Sequence, residues 1–154
     1  MRAVVPTDVE FEIPAEGEYA VLVRKGIRSL AAAADFDERD CQDIEVAVGE
    51  AVTNAILHGR PAGPVGCIRA HCRLTSKSLI VDVADNGGAT CLPLPKSVSP
   101  GDNEHGRGWM LIHRLMDRVS IRCTRSGLLV RMVKERHAAD SATTRALCLM
   151  ALAV

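Results

Sequence analysis

Aromatic residues are scarce in this chain of 154 residues, which has one tryptophan, one tyrosine and two phenylalanines. A core must therefore be built from aliphatic side chains, and the length suffices for one such core rather than two. The 19 basic and 19 acidic residues give a formal net charge of zero. That balance gives no electrostatic reason to expect nucleic acid or an anionic membrane as a partner.

The sequence also lacks long apolar runs, a secretory signal and the cysteine spacing of zinc sites. No run reaches the ~18 apolar residues that a membrane span needs, and no leader is recognisable at the N-terminus. The six cysteines form no CxxC pair and no Cys/His cluster with zinc spacing. We therefore expect a cytoplasmic protein in which all six cysteines are free thiols, small apolar residues in a reducing compartment.

Residues 40–59 form the most informative segment, DCQDIEVAVGEAVTNAILHG. Its apolar residues recur at helical spacing and predict one buried stripe: Ile44, Ala47, Val48, Ala51 and Ala55. Asp40 is a plausible N-cap for this helix. Glu50 and Asn54 lie one turn apart on one flank of the stripe, where they would either line a polar pocket or form an ordinary solvated edge.

The remaining patterns alternate between strand and helix periodicity. Strands are predicted at residues 9–13, 67–74, 79–84, 118–123 and 128–134, and helices at residues 16–34 and from Gly106 onward. Short connections between consecutive strands require a mostly antiparallel (mixed) sheet with the helices on one face. We expect an α/β two-layer sandwich in a single domain over residues 8–134, followed by a tail at residues 135–154.

Two further segments carry polar chemistry. Asp85 shares strand parity with Val81 and Val83, so it points into the interior if those valines face the helices. Gly106-Arg107-Gly108 opens a helix, and a helix N-terminus with glycine N–H groups suits an anion. Residues 87–105 show no periodicity, and a loop of that length in a small domain is usually functional or mobile.

Three motifs carry a family resemblance: VGEAVTNAILHG, VDVADNGGAT and GRGWMLIHRLMDRVSI. They resemble the N, G1 and G2 boxes of the GHKL ATPases, whose ATP-binding domain is the Bergerat fold. More narrowly, residues 8–134 resemble the bacterial anti-sigma-factor serine/threonine-protein kinases of the partner-switching type. Histidine-kinase ATPase domains share the boxes, but this sequence shows neither an upstream phosphoacceptor helix pair nor their longer lid.

The resemblance implies an ATP- and Mg²⁺-dependent kinase in which Glu50 is the general base that deprotonates a protein serine. Asn54 would hold Mg²⁺, Asp85 would bind the adenine amino group, and residues 92–105 would form an ATP lid. The cofactor-binding residues it implies are Asn54, His58, Asp85, Gly87, Gly106, Arg107, Gly108 and Trp109.

The partners implied by the resemblance are an antagonist protein bearing the target serine and a sigma factor or equivalent regulator, with a homodimer as a further expectation. Two departures from the family pattern bear on nucleotide affinity. Trp109 stands where the G2 box normally has leucine, and Leu128 and Leu129 stand where threonine is common. The alternative function is therefore a catalytically weak nucleotide-binding or protein-binding module of the same fold.

Overall fold

The computed structural model describes residues 7–59, 66–86, 105–125 and 127–136. A short 3-10 turn at Gly17–Tyr19 precedes the first helix. The three helices are α1 (Ala20–Ala33), α2 (Glu38–His58) and α3 (His105–Leu115). The five strands are β1 (Asp8–Pro14), β2 (Cys67–Leu74), β3 (Ser78–Asp85), β4 (Arg118–Thr124) and β5 (Gly127–Glu135).

The strands form one sheet in the order β1-β2-β3-β5-β4, and every neighbouring pair is antiparallel. β5 therefore lies between β3 and β4, and its register places Arg131 opposite Asp82. On the sheet face away from the helices these two side chains form a two-point ion pair, with nitrogen–oxygen distances of 2.7 and 2.6 Å. The predicted α/β sandwich with an antiparallel sheet is confirmed.

Helix α2 lies at the centre of the helical layer, packed against α1, α3 and the middle strands of the sheet. Its predicted stripe is buried at four positions and half-buried at Ala55. The opposing face of the sheet contributes aliphatic side chains that are at most 1% exposed, namely Ala70, Cys72, Leu79, Val81, Val83 and Met132. The core is thus aliphatic, as the lack of aromatic residues requires.

The start of α2 differs from its prediction. The helix begins at Glu38 and its N-cap is Asp37, whose carboxylate accepts a 2.7 Å hydrogen bond from the Asp40 backbone N–H. Asp40 is instead buried, with its carboxylate 3.1 Å from the Lys134 ammonium. The prediction of Asp40 as N-cap is wrong because both aspartates suit a cap and tertiary pairing with Lys134 decides between them.

Three apolar residues are more exposed than their helical patterns indicated. The apolar pattern of residues 16–34 predicts Leu22 in the buried stripe of α1, but Leu22 is 58% exposed, because Val23, Ile27 and Ala31 form that stripe instead. Val46 and Leu57, which suggested that little of α2 is exposed, are 43% and 68% exposed. The sheet covers only one flank of each helix, so a second apolar flank stays in solvent.

The cysteines also differ from expectation. Cys41, Cys67 and Cys72 are free thiols, whereas Cys123 is disulfide-bonded, so the expectation of six free thiols is wrong. Across the described ranges, no group of three or more His, Cys, Asp or Glu side chains is arranged to hold a metal ion. None of the described helices combines the length and apolar character that crossing a membrane requires.

Candidate functional site

Glu50 and Asn54 lie on the part of α2 that faces α3, and both side chains are half-buried. They point from the rim of the buried stripe because they are one helical turn apart and flank Ala47 and Ala51. A half-buried carboxylate beside a half-buried amide fits the lining of a polar pocket better than a fully solvated helix edge.

Gly108, in the first turn of α3, packs directly on these two side chains. A Cβ atom at this position would lie 2.5 Å from Glu50 Oε2 and 3.7 Å from Asn54 Nδ2. The first distance is too short for a non-bonded contact, so any side chain at position 108 would displace the Glu50 carboxylate. The structure therefore brings Gly108 against two residues that lie more than fifty positions earlier in the sequence.

Asp85 ends β3 and is half-buried on the helix-facing side of the sheet, as its parity with the buried Val81 and Val83 predicted. Its Oδ1 accepts a 3.1 Å hydrogen bond from the Leu128 backbone N–H of β5. The adjoining Asn86 is also tied to the sheet, because its Oδ1 accepts a 3.1 Å hydrogen bond from the Cys67 backbone N–H. These two bonds hold the end of β3 in place.

Two glycines flank Asp85. A Cβ atom at Gly59, the residue that ends α2, would lie 2.9 Å from Asp85 Cβ, and one at Gly127 would lie 2.2 Å from Asp85 Oδ1. Gly59 follows Asn54 by five residues, or about 8 Å along a helix. The end of α2 therefore connects the Asp85 group with the Glu50, Asn54 and Gly108 group.

The other predicted residues take varied positions. His58 lies in the last turn of α2 and Arg107 in the first turn of α3, both with exposed side chains. Gly106 belongs to the first turn of α3, while Gly87 and most of the predicted lid lie outside the described residues. Trp109 is half-buried, with its ring edge-on to the His113 ring at a centroid distance of 4.7 Å.

The donor set suits a magnesium ion held mainly by a phosphorylated ligand. Mg²⁺ prefers oxygen ligands and usually takes only one or two from the protein, completing its shell with phosphate oxygens and water. Asn54 offers one amide oxygen beside the Glu50 carboxylate, and the first turn of α3 presents N–H groups that have no partner within the helix.

Sequence reasoning missed Gly59, Gly127 and the Leu128 backbone N–H. In the sequence, Gly59 predicts only the end of a helix and Gly127 only a turn between the last two strands. The sequence offers one signal of a further role for each glycine. Gly59 follows the helical segment that contains predicted site residues, and Gly127 begins the strand that pairs with the one ending at Asp85. The contacts of Gly127 and Leu128 with Asp85 depend on the pairing of β3 with β5, and that of Gly59 depends on how α2 packs on β3.

Comparison with known proteins places this geometry in a family. The profile of the histidine kinase-like ATPase domain matches residues 13–134. A relative named serine-protein kinase RsbW from Bacillus licheniformis is 30% identical over 147 residues, covering 88% of this chain and 91% of the relative. A protein of the same name from Staphylococcus aureus (strain MRSA252) is 30% identical over 136 residues, covering 82% and 85%.

Solved structures share the fold at lower identity. The crystal structure of the RsbU and RsbW domains of Rv1364c from Mycobacterium tuberculosis superposes with a TM-score of 0.64 at 20% identity, covering 87% of this chain and 34% of that one. The histidine kinase domain of a blue-light activated kinase from Erythrobacter litoralis gives a TM-score of 0.51 at 16% identity, covering 88% and 66%. This chain therefore belongs to the histidine kinase-like ATPase family and, within it, to the group of serine-protein kinases named RsbW.

Proposed function

We propose that this protein is an ATP-dependent protein-serine kinase that phosphorylates a small antagonist protein and also sequesters a sigma factor or an equivalent regulator. One observation carries the kinase assignment: Glu50 and Asn54 lie side by side against the first turn of α3, with Gly108 in contact with both. This proximity supports the proposal that Glu50 acts as a base beside a metal ligand, Asn54, and beside the anion-binding end of a helix.

Each residue has a proposed role. Glu50 accepts the proton of the substrate serine as its oxygen attacks the γ-phosphorus, and ADP leaves with the electrons of the broken phosphorus–oxygen bond. The Asn54 amide oxygen would hold Mg²⁺, which offsets phosphate charge. Asp85 accepts a hydrogen bond from the adenine amino group. The backbone of Gly106 and Gly108, with Arg107 and His58 at the rim, would surround the phosphates, and Gly87 would adjoin the base.

The regulatory part of the proposal rests on the relatives. Two proteins named serine-protein kinase RsbW match this chain over most of their own length, so no large segment of theirs is left unmatched. The antagonist protein, the regulator and a homodimer are proposed on that likeness. On the same likeness we propose a single domain over residues 8–134 and a location in the cytoplasm, where ATP is available.

The kinase proposal is tested with purified protein, Mg-ATP labelled at the γ-phosphate and a candidate antagonist protein. Glu50→Gln is expected to retain nucleotide affinity and to lose at least ~100-fold in phosphate transfer, because a general base typically contributes that much. Asn54→Ala is expected to weaken the Mg²⁺-dependent part of nucleotide binding. Thr53→Ala, an exposed position between them, is the matched control and should behave as wild type.

Nucleotide binding is followed by calorimetry and by the emission of Trp109, the only tryptophan, which is half-buried beside Gly108. Mg-ATP should change this emission and Mg²⁺ alone should not. Full phosphate transfer by Glu50→Gln would exclude Glu50 as the base. Nucleotide binding by wild type with no transfer to any antagonist would favour the alternative, a binding module that has lost turnover.

A further inference from the structure

Backbone atoms from two distant parts of the chain surround the Asp85 side chain. Gly59 approaches it from the end of α2, and Gly127 approaches it from the start of β5. Between them the Leu128 backbone N–H donates a 3.1 Å hydrogen bond to Asp85 Oδ1. Backbone groups therefore contribute to holding the carboxylate in place.

Neither glycine can be replaced without moving Asp85. A Cβ atom at Gly127 would lie 2.2 Å from the Asp85 side-chain oxygen Oδ1 and 2.4 Å from its backbone oxygen. Gly127 also has a φ of +149°, a conformation that L side chains rarely adopt. At Gly59 the φ of −64° suits any residue, but a Cβ atom there would lie 2.3 Å from the Ala55 carbonyl oxygen and 3.2 Å from Asp85 Cγ.

We infer that Gly59, Gly127 and the Leu128 backbone N–H form a clamp that fixes the orientation of the Asp85 carboxylate and thereby sets selectivity for a purine bearing an exocyclic amino group. The inference rests on the proposed function, in which Asp85 accepts a hydrogen bond from that group. A hydrogen bond weakens steeply as its angle departs from linear, so an acceptor that can swivel discriminates poorly. In this clamp Leu128 helps to position the Asp85 carboxylate through its backbone N–H, so the role does not require a polar side chain at position 128.

The test compares ATP with inosine triphosphate, in which a carbonyl oxygen replaces the amino group of the base. The measured quantity is the ratio of the two dissociation constants. A loss of folded protein affects the binding of both ligands equally, so it leaves this ratio unchanged. Both ligands also share the ribose and triphosphate, so the ratio reports on the base alone. Wild type should prefer ATP by about tenfold or more. With inosine triphosphate the charged Asp85 carboxylate would face a carbonyl oxygen instead of a hydrogen-bond donor. Gly127→Ala should bring this ratio close to one.

Two matched variants accompany the measurement. Gly17→Ala is the control, because a Cβ atom there meets no atom within 4 Å, and it should keep the wild-type ratio. In an Asp85→Ala background, Gly127→Ala should cause no further change in the ratio, because the group through which it acts is gone. If circular dichroism shows Gly127→Ala to be unfolded, Gly59→Ala replaces it.

The outcomes separate this inference from the proposed function. A wild-type preference for ATP that persists in the folded Gly127→Ala or Gly59→Ala variant would overturn the clamp and leave the kinase proposal standing. Wild type that binds ATP and inosine triphosphate equally would remove the assigned role of Asp85 and the clamp with it. Loss of the preference in Gly127→Ala but not in Gly17→Ala supports the inference.

Discussion

At the scale of single residues, three glycines set the geometry of the proposed site. Gly108 contacts Glu50 and Asn54, while Gly59 and Gly127 contact Asp85. In each case a Cβ atom would come closer than 3.0 Å to the functional side chain. A side chain at any of these positions would therefore displace the functional group that it faces.

Gly108→Ala should reduce phosphate transfer about 100-fold. The new methyl group would lie 2.5 Å from Glu50 Oε2 and displace the carboxylate. A displacement of ~1 Å from the reactive position can lower the rate by about that factor. Alanine is also the better helix former by ~1 kcal/mol, so the variant should not melt at a lower temperature than wild type. Steady-state phosphorylation and thermal denaturation measure the two effects.

Gly17→Ala again serves as the control for Gly108→Ala, since its new methyl group meets open space. A Gly108→Ala protein with wild-type turnover would show that Glu50 need not occupy the position seen here.

At the same scale, the sequence identified Glu50, Asn54 and Asp85 as candidates but not the contacts that orient them. Helical spacing was enough to place Glu50 beside Asn54, and strand parity was enough to aim Asp85 at the helices. Gly127 and Leu128 reach Asp85 only because β5 pairs with β3, and β5 lies more than forty residues later in the chain. Local periodicity contains no information about a pairing at that distance.

At the scale of secondary-structure elements, Lys134 joins three of them. Its ammonium lies 3.0 Å from Asp43 Oδ2 and 3.1 Å from Asp40 Oδ1 on α2, and it donates a 2.8 Å hydrogen bond to the Leu115 carbonyl at the end of α3. Lys134 is only 5% exposed. It thereby fixes the C-terminal end of α3 relative to α2, whose other half carries the site.

Lys134→Met should lower the free energy of unfolding by ~3–5 kcal/mol, because it leaves two carboxylates close together without their cation. Urea denaturation measures this change, and Lys77→Met at an exposed turn should alter it by less than ~0.5 kcal/mol. Equal stability of the two variants would mean that the ion cluster contributes no net free energy.

The difference in unfolding free energy between wild type and Lys134→Met should depend on pH in a defined way. Burial disfavours the charged form of Lys134, but its hydrogen bonds to Asp43 and Asp40 outweigh that effect and raise its pKa above the ordinary value of 10.5. A raised pKa means that the stabilisation is fully present below pH 10.5 and is lost as the pH rises further. The difference between wild type and Lys134→Met should therefore shrink only above that pH.

Element positions were predicted to within a few residues, because periods of two and 3.6 mark strands and helices directly. The beginning of α2 was placed incorrectly, since Asp37 and Asp40 are both good caps and Lys134 lies more than ninety residues away. Leu22 was assigned to the wrong flank of α1 for a related reason. Helical spacing identifies an apolar flank but does not reveal which of two flanks the sheet covers.

At the scale of the whole molecule, the free cysteines report on the stability of the core. Cys72 is 1% exposed, and burial raises the pKa of its thiol to about 12, with the nearby Asp8 adding to the effect. Cys67 is half-buried at the start of the same strand. Alkylation requires an accessible thiolate, so these two residues should differ strongly in reactivity.

Iodoacetamide at pH 8 should therefore alkylate Cys67 well before Cys72 in the native protein, as read by peptide mass spectrometry. Cys72 should react only through opening of the sheet, so low concentrations of urea should accelerate its labelling in proportion to the unfolded fraction. Labelling of Cys72 at the rate of Cys67 would indicate that β1 separates from β2 without global unfolding.

The position of β5 has a consequence for how the protein is made. The ribosome releases β3 and β4 before β5, yet β5 must insert between them to complete the sheet. Until Gly127 and Leu128 have emerged, a nascent chain has an unpaired β3 edge and an Asp85 without its backbone donor. An open strand edge favours pairing with other chains. Chains that stall or are cleaved before residue 127 should thus be both unable to select a nucleotide and prone to aggregate, which makes them ready substrates for chaperones and proteases.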